Sequence, residues 1–122
     1  MAKKILIADD EQNIVISLEF LMKREGFEVV VANDGEEAAR RIRSDCPDLV
    51  LLDVMMPKKS GFEVCQEIKA DPAMAAVRIL MLTAKGRDTE VAKGLALGAD
   101  AYMTKPFSTK ELVEKVRGLL GA

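Results

Sequence analysis

Residues Leu49–Gly61, LVLLDVMMPKKSG, constrain the fold more than any other stretch. Consecutive aliphatic residues leave no polar face. A strand formed here is therefore buried on both sides, as in a parallel sheet covered by helices. The run stops on one carboxylate, Asp53, and a short segment with Pro57 and Gly61 follows. Parallel α/β proteins place their chemistry at the carboxyl end of a central strand. A second run, Lys4–Ala8, ends the same way on Asp9 and Asp10. Two buried strands that deliver three carboxylates to one rim carry a heavy electrostatic cost unless a cation neutralises them.

The rest of the chain alternates between strand and helix patterns. Glu11–Glu25 reads as a helix with Ile14, Leu18, Leu21 and Met22 on one face, stopped by Gly26. Phe27–Ala32 is a β-branched strand. Asp34 and Glu37 fit a capping box ahead of Ala38, Ala39 and Ile42, and Pro47 ends that helix. Ser60 and Glu63 make a second box, with Val64, Cys65 and Ile68 running on to Asp71-Pro72. Val77–Leu82 is the fourth strand. A helix with Val91, Leu95 and Ala96 follows and ends at Gly98. Ala99–Thr104 is a shorter, less apolar fifth strand, as an edge strand would be. Ser108 and Glu111 form a third box, before a helix with Leu112, Val116, Leu119 and Leu120. Five strand–helix units with right-handed crossovers put helices on both faces of one parallel sheet.

The 122 residues suit a single domain, 1–122, with no internal repeat or linker, and the expectation is that no second domain follows. A net charge of −2 argues against direct nucleic-acid binding, and no helix-turn-helix signature is present. No apolar run is long enough to span a membrane, and the apolar stretch of MAKKILIADD is too short for a signal peptide and runs directly into acid. With no histidine in the chain, Cys46 and Cys65 read as reduced thiols in or near the core of a cytoplasmic protein.

Asp9, Asp10 and Asp53 suit a magnesium ion, which prefers oxygen ligands and retains several waters. One or two carboxylates and a backbone carbonyl just after Asp53 would serve it. Helix capping accounts for one acid of the Asp9-Asp10 pair, but not for both together with Asp53. Lys105, held before Pro106, can offset the charge, contacting a carboxylate at rest and a phosphoryl oxygen after modification. Thr83 follows the fourth strand, so its hydroxyl reaches the same rim, and Ala84 beside it leaves room; a plain loop hydroxyl is the simpler alternative. The physical reading is a divalent-metal site beside an aspartate that forms an acyl phosphate.

These residues carry a resemblance. Asp9-Asp10, the segment from Asp53 through Met56-Pro57 to Gly61, Thr83-Ala84, Gly98-Ala99-Asp100 and Lys105-Pro106-Phe107 occur in the order found in receiver domains of two-component response regulators. The resemblance covers essentially the whole chain. It implies a flavodoxin-like, doubly wound α/β fold with five parallel strands in the order 2-1-3-4-5 and five helices. It makes Asp53 the phospho-acceptor, supplied by a sensor histidine kinase, a phosphotransfer protein or a small phosphodonor. Magnesium would be held by Asp10, Asp53 and the backbone carbonyl of Met55, with Asp9 acting mainly through water. Thr83, Ala84 and Lys105 would contact the phosphoryl group, and the Lys105–Pro106 peptide would be cis.

The same resemblance makes Met55 and Lys85 rate-tuning positions, and Thr83 and Tyr102 the switch. The ordinary account of Tyr102 is an edge-strand aromatic. The helix 4–strand 5–helix 5 face would bind an effector protein or a missing output domain. The protein would be a monomer or a weak, phosphorylation-dependent dimer. Ala101 replaces the second acid of the family's usual Gly-Ala-Asp-Asp-Tyr, which weakens one charged dimer mode; Lys93, Glu111 and Arg117 can still serve part of it. Lys58-Lys59 reads as a solvated turn, or more weakly as a lure for acidic donors.

Two alternatives stand beside this reading. One is a phosphorylation-independent interaction domain of the same fold. The other is a haloacid-type phosphatase, which would want a second acid at the position of Met55. Dinucleotide and P-loop fingerprints are absent.

Overall fold

The computed structural model describes residues 2–84 and 88–121, and the side chains of residues 84–91 lie outside the description. Five strands form one parallel sheet: β1 (Lys4–Ala8), β2 (Glu28–Ala32), β3 (Leu49–Asp53), β4 (Arg78–Ala84) and β5 (Ala101–Lys105). Their order is β2-β1-β3-β4-β5, the doubly wound topology expected from the resemblance. The helices are α1 (Gln12–Arg24), α2 (Gly35–Asp45), α3 (Gly61–Lys69), α4 (Asp88–Ala96) and α5 (Thr109–Leu120), with a 3-10 turn at Pro72–Met74 after α3.

Strand alternation sorts the core into two layers. Ile5, Ile7, Leu49, Leu51, Leu80, Leu82 and Met103 pack under α1 and α5. Leu6, Val50, Leu52, Ile79 and Met81 pack under α2 and α3. β3 is buried along its whole length, which is the reason for its unbroken aliphatic sequence.

Several local expectations are revised. Ser60 forms a complete reciprocal box with Glu63, whereas Asp34 and Ser108 supply only the forward arm, accepting from the Glu37 and Glu111 amides. The Glu37 carboxylate reaches one residue further back, to the Asn33 amide at 2.6 Å. α2 ends at Asp45, before Pro47, because Cys46 takes the left-handed conformation. Cys46 is exposed rather than near the core, while Cys65 is buried; both are free. β5 starts at Ala101, not Ala99. Asp100 instead closes the turn, its amide donating to the Ile79 carbonyl and its carboxylate accepting from the Ile79 amide and Lys69. Leu95 is exposed and does not join the inner face of α4. No helix of the described residues is long and apolar enough to cross a membrane.

Candidate functional site

Parallel register sets the site. Ala8 pairs with Leu52 across β1 and β3, so the next residues, Asp9 and Asp53, stand side by side. Thr83 pairs with Thr104, and Ala84 with Lys105, across β4 and β5. The ends of β1, β3, β4 and β5 thus present Asp9, Asp53, Thr83 and Lys105 along one rim. The chain leaves β1 for β2 on one side and returns to β3 on the other. A ligand crevice opens at such a switch point.

The carboxylates of Asp9, Asp10 and Asp53 each offer an oxygen within 4.8 Å of the others. Asp9 is fully buried, Asp53 nearly so, and Asp10 is exposed. Lys105 Nζ stands 2.8 Å from Asp9 Oδ2 and 3.3 Å from Asp53 Oδ1. The other Asp9 oxygen accepts from the Glu11 amide at 2.9 Å. The Lys105–Pro106 peptide is cis, as the resemblance implied.

Burial and then the neighbouring Asp9 charge push Asp53 up to about 7, against the pull of Lys105. Burial works to lower the Lys105 ammonium, but its hydrogen bond to Asp9 and the Asp53 charge outweigh it and raise it. Three carboxylates against one ammonium form an oxygen-rich, under-neutralised cluster, and this donor set fits a hard divalent cation. Thr83 is buried, and its hydroxyl finds no hydrogen-bond partner among the described residues. Such a group carries a desolvation cost that an incoming acceptor would relieve.

The structure therefore brings Asp9, Asp10, Asp53, Thr83 and Lys105 together. The Met55 side chain is exposed just beyond β3. Ala84 ends β4, its side chain outside the description, and Lys85 lies outside the described residues altogether. Tyr102 lies on β5, two residues before Thr104, and is 42% exposed.

Sequence reasoning passed over Glu11, whose carboxylate comes within 3.5 Å of Lys105 Nζ. The run of three acids after β1 was the available signal. Neither lysine of Lys58-Lys59 stands as a free charge. Lys58 lies 3.7 Å from Asp34, and Lys59 pairs with Glu67 at 2.7 Å. Arg117 likewise pairs with Glu25 at 2.7 Å and lies over the Phe27 ring.

A doubly wound sheet whose switch-point crevice holds a cluster of three carboxylates clasped by one lysine is the arrangement expected of a phospho-accepting receiver domain. The family model of the response regulator receiver domain matches residues 5–117, and the chain belongs to that family. It is 48% identical over 120 residues to the alkaline phosphatase synthesis transcriptional regulatory protein PhoP of Bacillus subtilis, covering 98% of this chain. The chain spans 49% of that curated relative's length.

Among solved structures, one assigned as a response regulator from Chloroflexus aurantiacus superposes with a TM-score of 0.95 at 34% identity, covering both chains fully. The receiver domain of a signal transduction histidine kinase from Syntrophus aciditrophicus gives 0.91 at 30% identity, covering 98% of this chain and 91% of its own. The general role in two-component signalling follows from the family. Receiver domains of this family act as phospho-acceptor switches.

Proposed function

We propose that Asp53 is the phospho-acceptor of a magnesium-dependent switch. The observation that carries this reading is the clasp of Lys105 on two buried carboxylates, on the same rim as a Thr83 hydroxyl that has no partner among the described residues. The donor is the phosphohistidine of a sensor kinase or phosphotransfer protein, or a small phosphodonor such as acetyl phosphate.

Asp10, Asp53 and the backbone carbonyl of Met55 would hold Mg2+, with Asp9 acting through water. When bound, Mg2+ supplies charge neutralisation at the phosphoryl oxygens. A carboxylate oxygen of Asp53 attacks phosphorus in line as the bond to the donor breaks, leaving a mixed anhydride on the side chain. Lys105 moves its hydrogen bond from Asp53 to a phosphoryl oxygen while keeping Asp9. The Thr83 hydroxyl and the backbone after it, at Ala84, donate to a second phosphoryl oxygen.

Met55 and Lys85 tune hydrolysis of the anhydride: the apolar Met55 impedes the attacking water, and Lys85 engages the phosphate. The readout is a change at Tyr102 and on the α4–β5–α5 face, which binds an effector protein or an output domain. The setting is cytoplasmic, and residues 1–122 act as one receiver unit without direct nucleic-acid contact.

Intact mass spectrometry after acetyl phosphate and Mg2+ tests the reading. One added phosphoryl group is expected, lost in D53A and lost when EDTA replaces Mg2+. Unchanged mass in the wild type, or retention of the adduct in D53A, overturns it.

A further inference from the structure

The segment from Met55 to Ser60 links β3 to α3 and lies against the start of α2. Gly35 opens α2 and is buried at that contact. Its amide donates to the Pro57 carbonyl at 3.2 Å. A Cβ placed on Gly35 would overlap the Lys59 carbonyl oxygen and stand 2.6 Å from that residue's carbonyl carbon and Cβ. Beside it, Lys58 takes a left-handed φ of 70° and reaches the Asp34 carboxylate at 3.7 Å. At the far end the Gly61 amide donates to the Val54 carbonyl at 2.8 Å, and a Cβ there would overlap the Asp53 carbonyl oxygen. The segment is thus pinned over Pro57–Lys59 and again at Gly61 by close approaches that leave no room for a side chain on either glycine. Nothing in the phosphoryl chemistry itself requires Gly35.

We infer that Gly35 is a positioning residue for the metal site, acting through the Met55–Ser60 segment. The inference rests on the proposed role of the Met55 carbonyl as a Mg2+ ligand. An added methyl at residue 35 forces either α2 or the segment to move. α2 is held by the buried side chains of Ala38, Ala39 and Ile42, whereas Met55, Pro57 and Lys58 are exposed and half-buried Lys59 is tethered through a flexible side-chain pair with Glu67. The segment yields. Because Gly61 fixes its far end, the displacement is taken up between Met55 and Ser60, where the carbonyl lies. Coupling is reciprocal, so a cation held by that carbonyl must in turn tighten the Gly35–Pro57 hydrogen bond.

Calorimetric titration of Mg2+ into wild type, G35A and G118A tests this. Gly118 lies in α5 with open space around its Cα, and serves as the control for adding a methyl to a helix. G35A is expected to bind Mg2+ roughly tenfold more weakly, in the range seen when groups supporting a metal ligand are disturbed. G118A should bind as the wild type does. Acetyl phosphate labelling at saturating Mg2+ should proceed in G35A at close to the wild-type rate, so the loss is in metal affinity and not in the acceptor.

Hydrogen exchange on the wild type is the second readout, and it stands if G35A does not fold. The Gly35 amide should exchange more slowly when Mg2+ is added. Folded G35A with wild-type Mg2+ affinity, or a Gly35 amide indifferent to Mg2+, overturns the clamp alone. Wild type that fails to bind Mg2+ overturns the metal site and the clamp with it.

Discussion

Between pH 3.8 and about 7 the folded protein holds a proton on Asp53 that the unfolded chain has released. Burial and then the Asp9 charge are the cause. The stability this group contributes is complete below 3.8 and is lost as pH rises through 7. D53N removes the loss. In EDTA at pH 8 its melting temperature should exceed the wild type's by on the order of 10 °C, and the gap should close toward pH 4. Parallel melting curves at both pH values would contradict this assignment.

Removing the Lys105 charge acts in the opposite direction to removing that of Asp53. Removing its ammonium strands Asp9, which has no exposed surface, with one amide for company. K105A should therefore cost about 3 kcal/mol in urea denaturation, because a buried charge is left unpaired. Adding D9N should recover most of that loss, since the stranded charge goes with it. A double variant no more stable than K105A would mean that Asp9 does not feel the lysine.

At the scale of elements, the patterns that specify a strand or a cap were readable, and those set by distant contacts were not. The aliphatic run of β3 reports burial on both faces directly. Ser60 and Glu63 reported their capping box, and because both arms are made, S60A should cost about 1 kcal/mol in thermal or urea unfolding. S108A, at a cap with one arm, should cost less; equal losses would show that the reciprocal arm contributes nothing.

The start of β5 was misjudged because Ala99 and Asp100 have strand-compatible neighbours, while Asp100 is committed to Lys69 and Ile79 from other elements. Leu95 is inward by spacing, yet it is exposed, while Gly94 beside it is buried close to Met81, where an added Cβ would stand 3.5 Å from the Met81 Cγ. Asp9, Asp10, Asp53, Thr83 and Lys105 were legible as a cluster because each ends a recognisable strand or lies beside its end. Glu11 and Gly35 were not. Their roles depend on how loops meet across the rim, and one sequence holds no periodicity for that.

For the molecule as a whole, the question is how a charge added at one rim reaches a distant face. The sheet offers a direct route. Thr83 and Thr104 are register partners, and Tyr102 lies two residues back on the same face of β5, about 7 Å along the strand. Thr83 begins with a buried hydroxyl that has no partner among the described residues, so a phosphoryl oxygen within its reach gains a hydrogen bond that breaks none of those described. That differential contact is what allows a ligand to move an equilibrium between two states. A shift from mostly inactive to mostly active requires several kcal/mol of preference, which one hydrogen bond supplies only in part. The rest has to come from Lys105 and from the backbone after Thr83, so the Thr83 contribution is separable. T83V should accept phosphoryl on Asp53 to a similar extent, and its apolar replacement of a hydroxyl with no partner among the described residues should leave stability unchanged or slightly raised. Beryllofluoride, a mimic of the phosphoryl group, should shift amide resonances of Tyr102 and of α5 in the wild type. In T83V the shifts at Asp53 and its neighbours should persist while those at Tyr102 shrink. Full-sized Tyr102 shifts in T83V would place the coupling in Lys105 and the β5–α5 connection, and would remove Thr83 from the route.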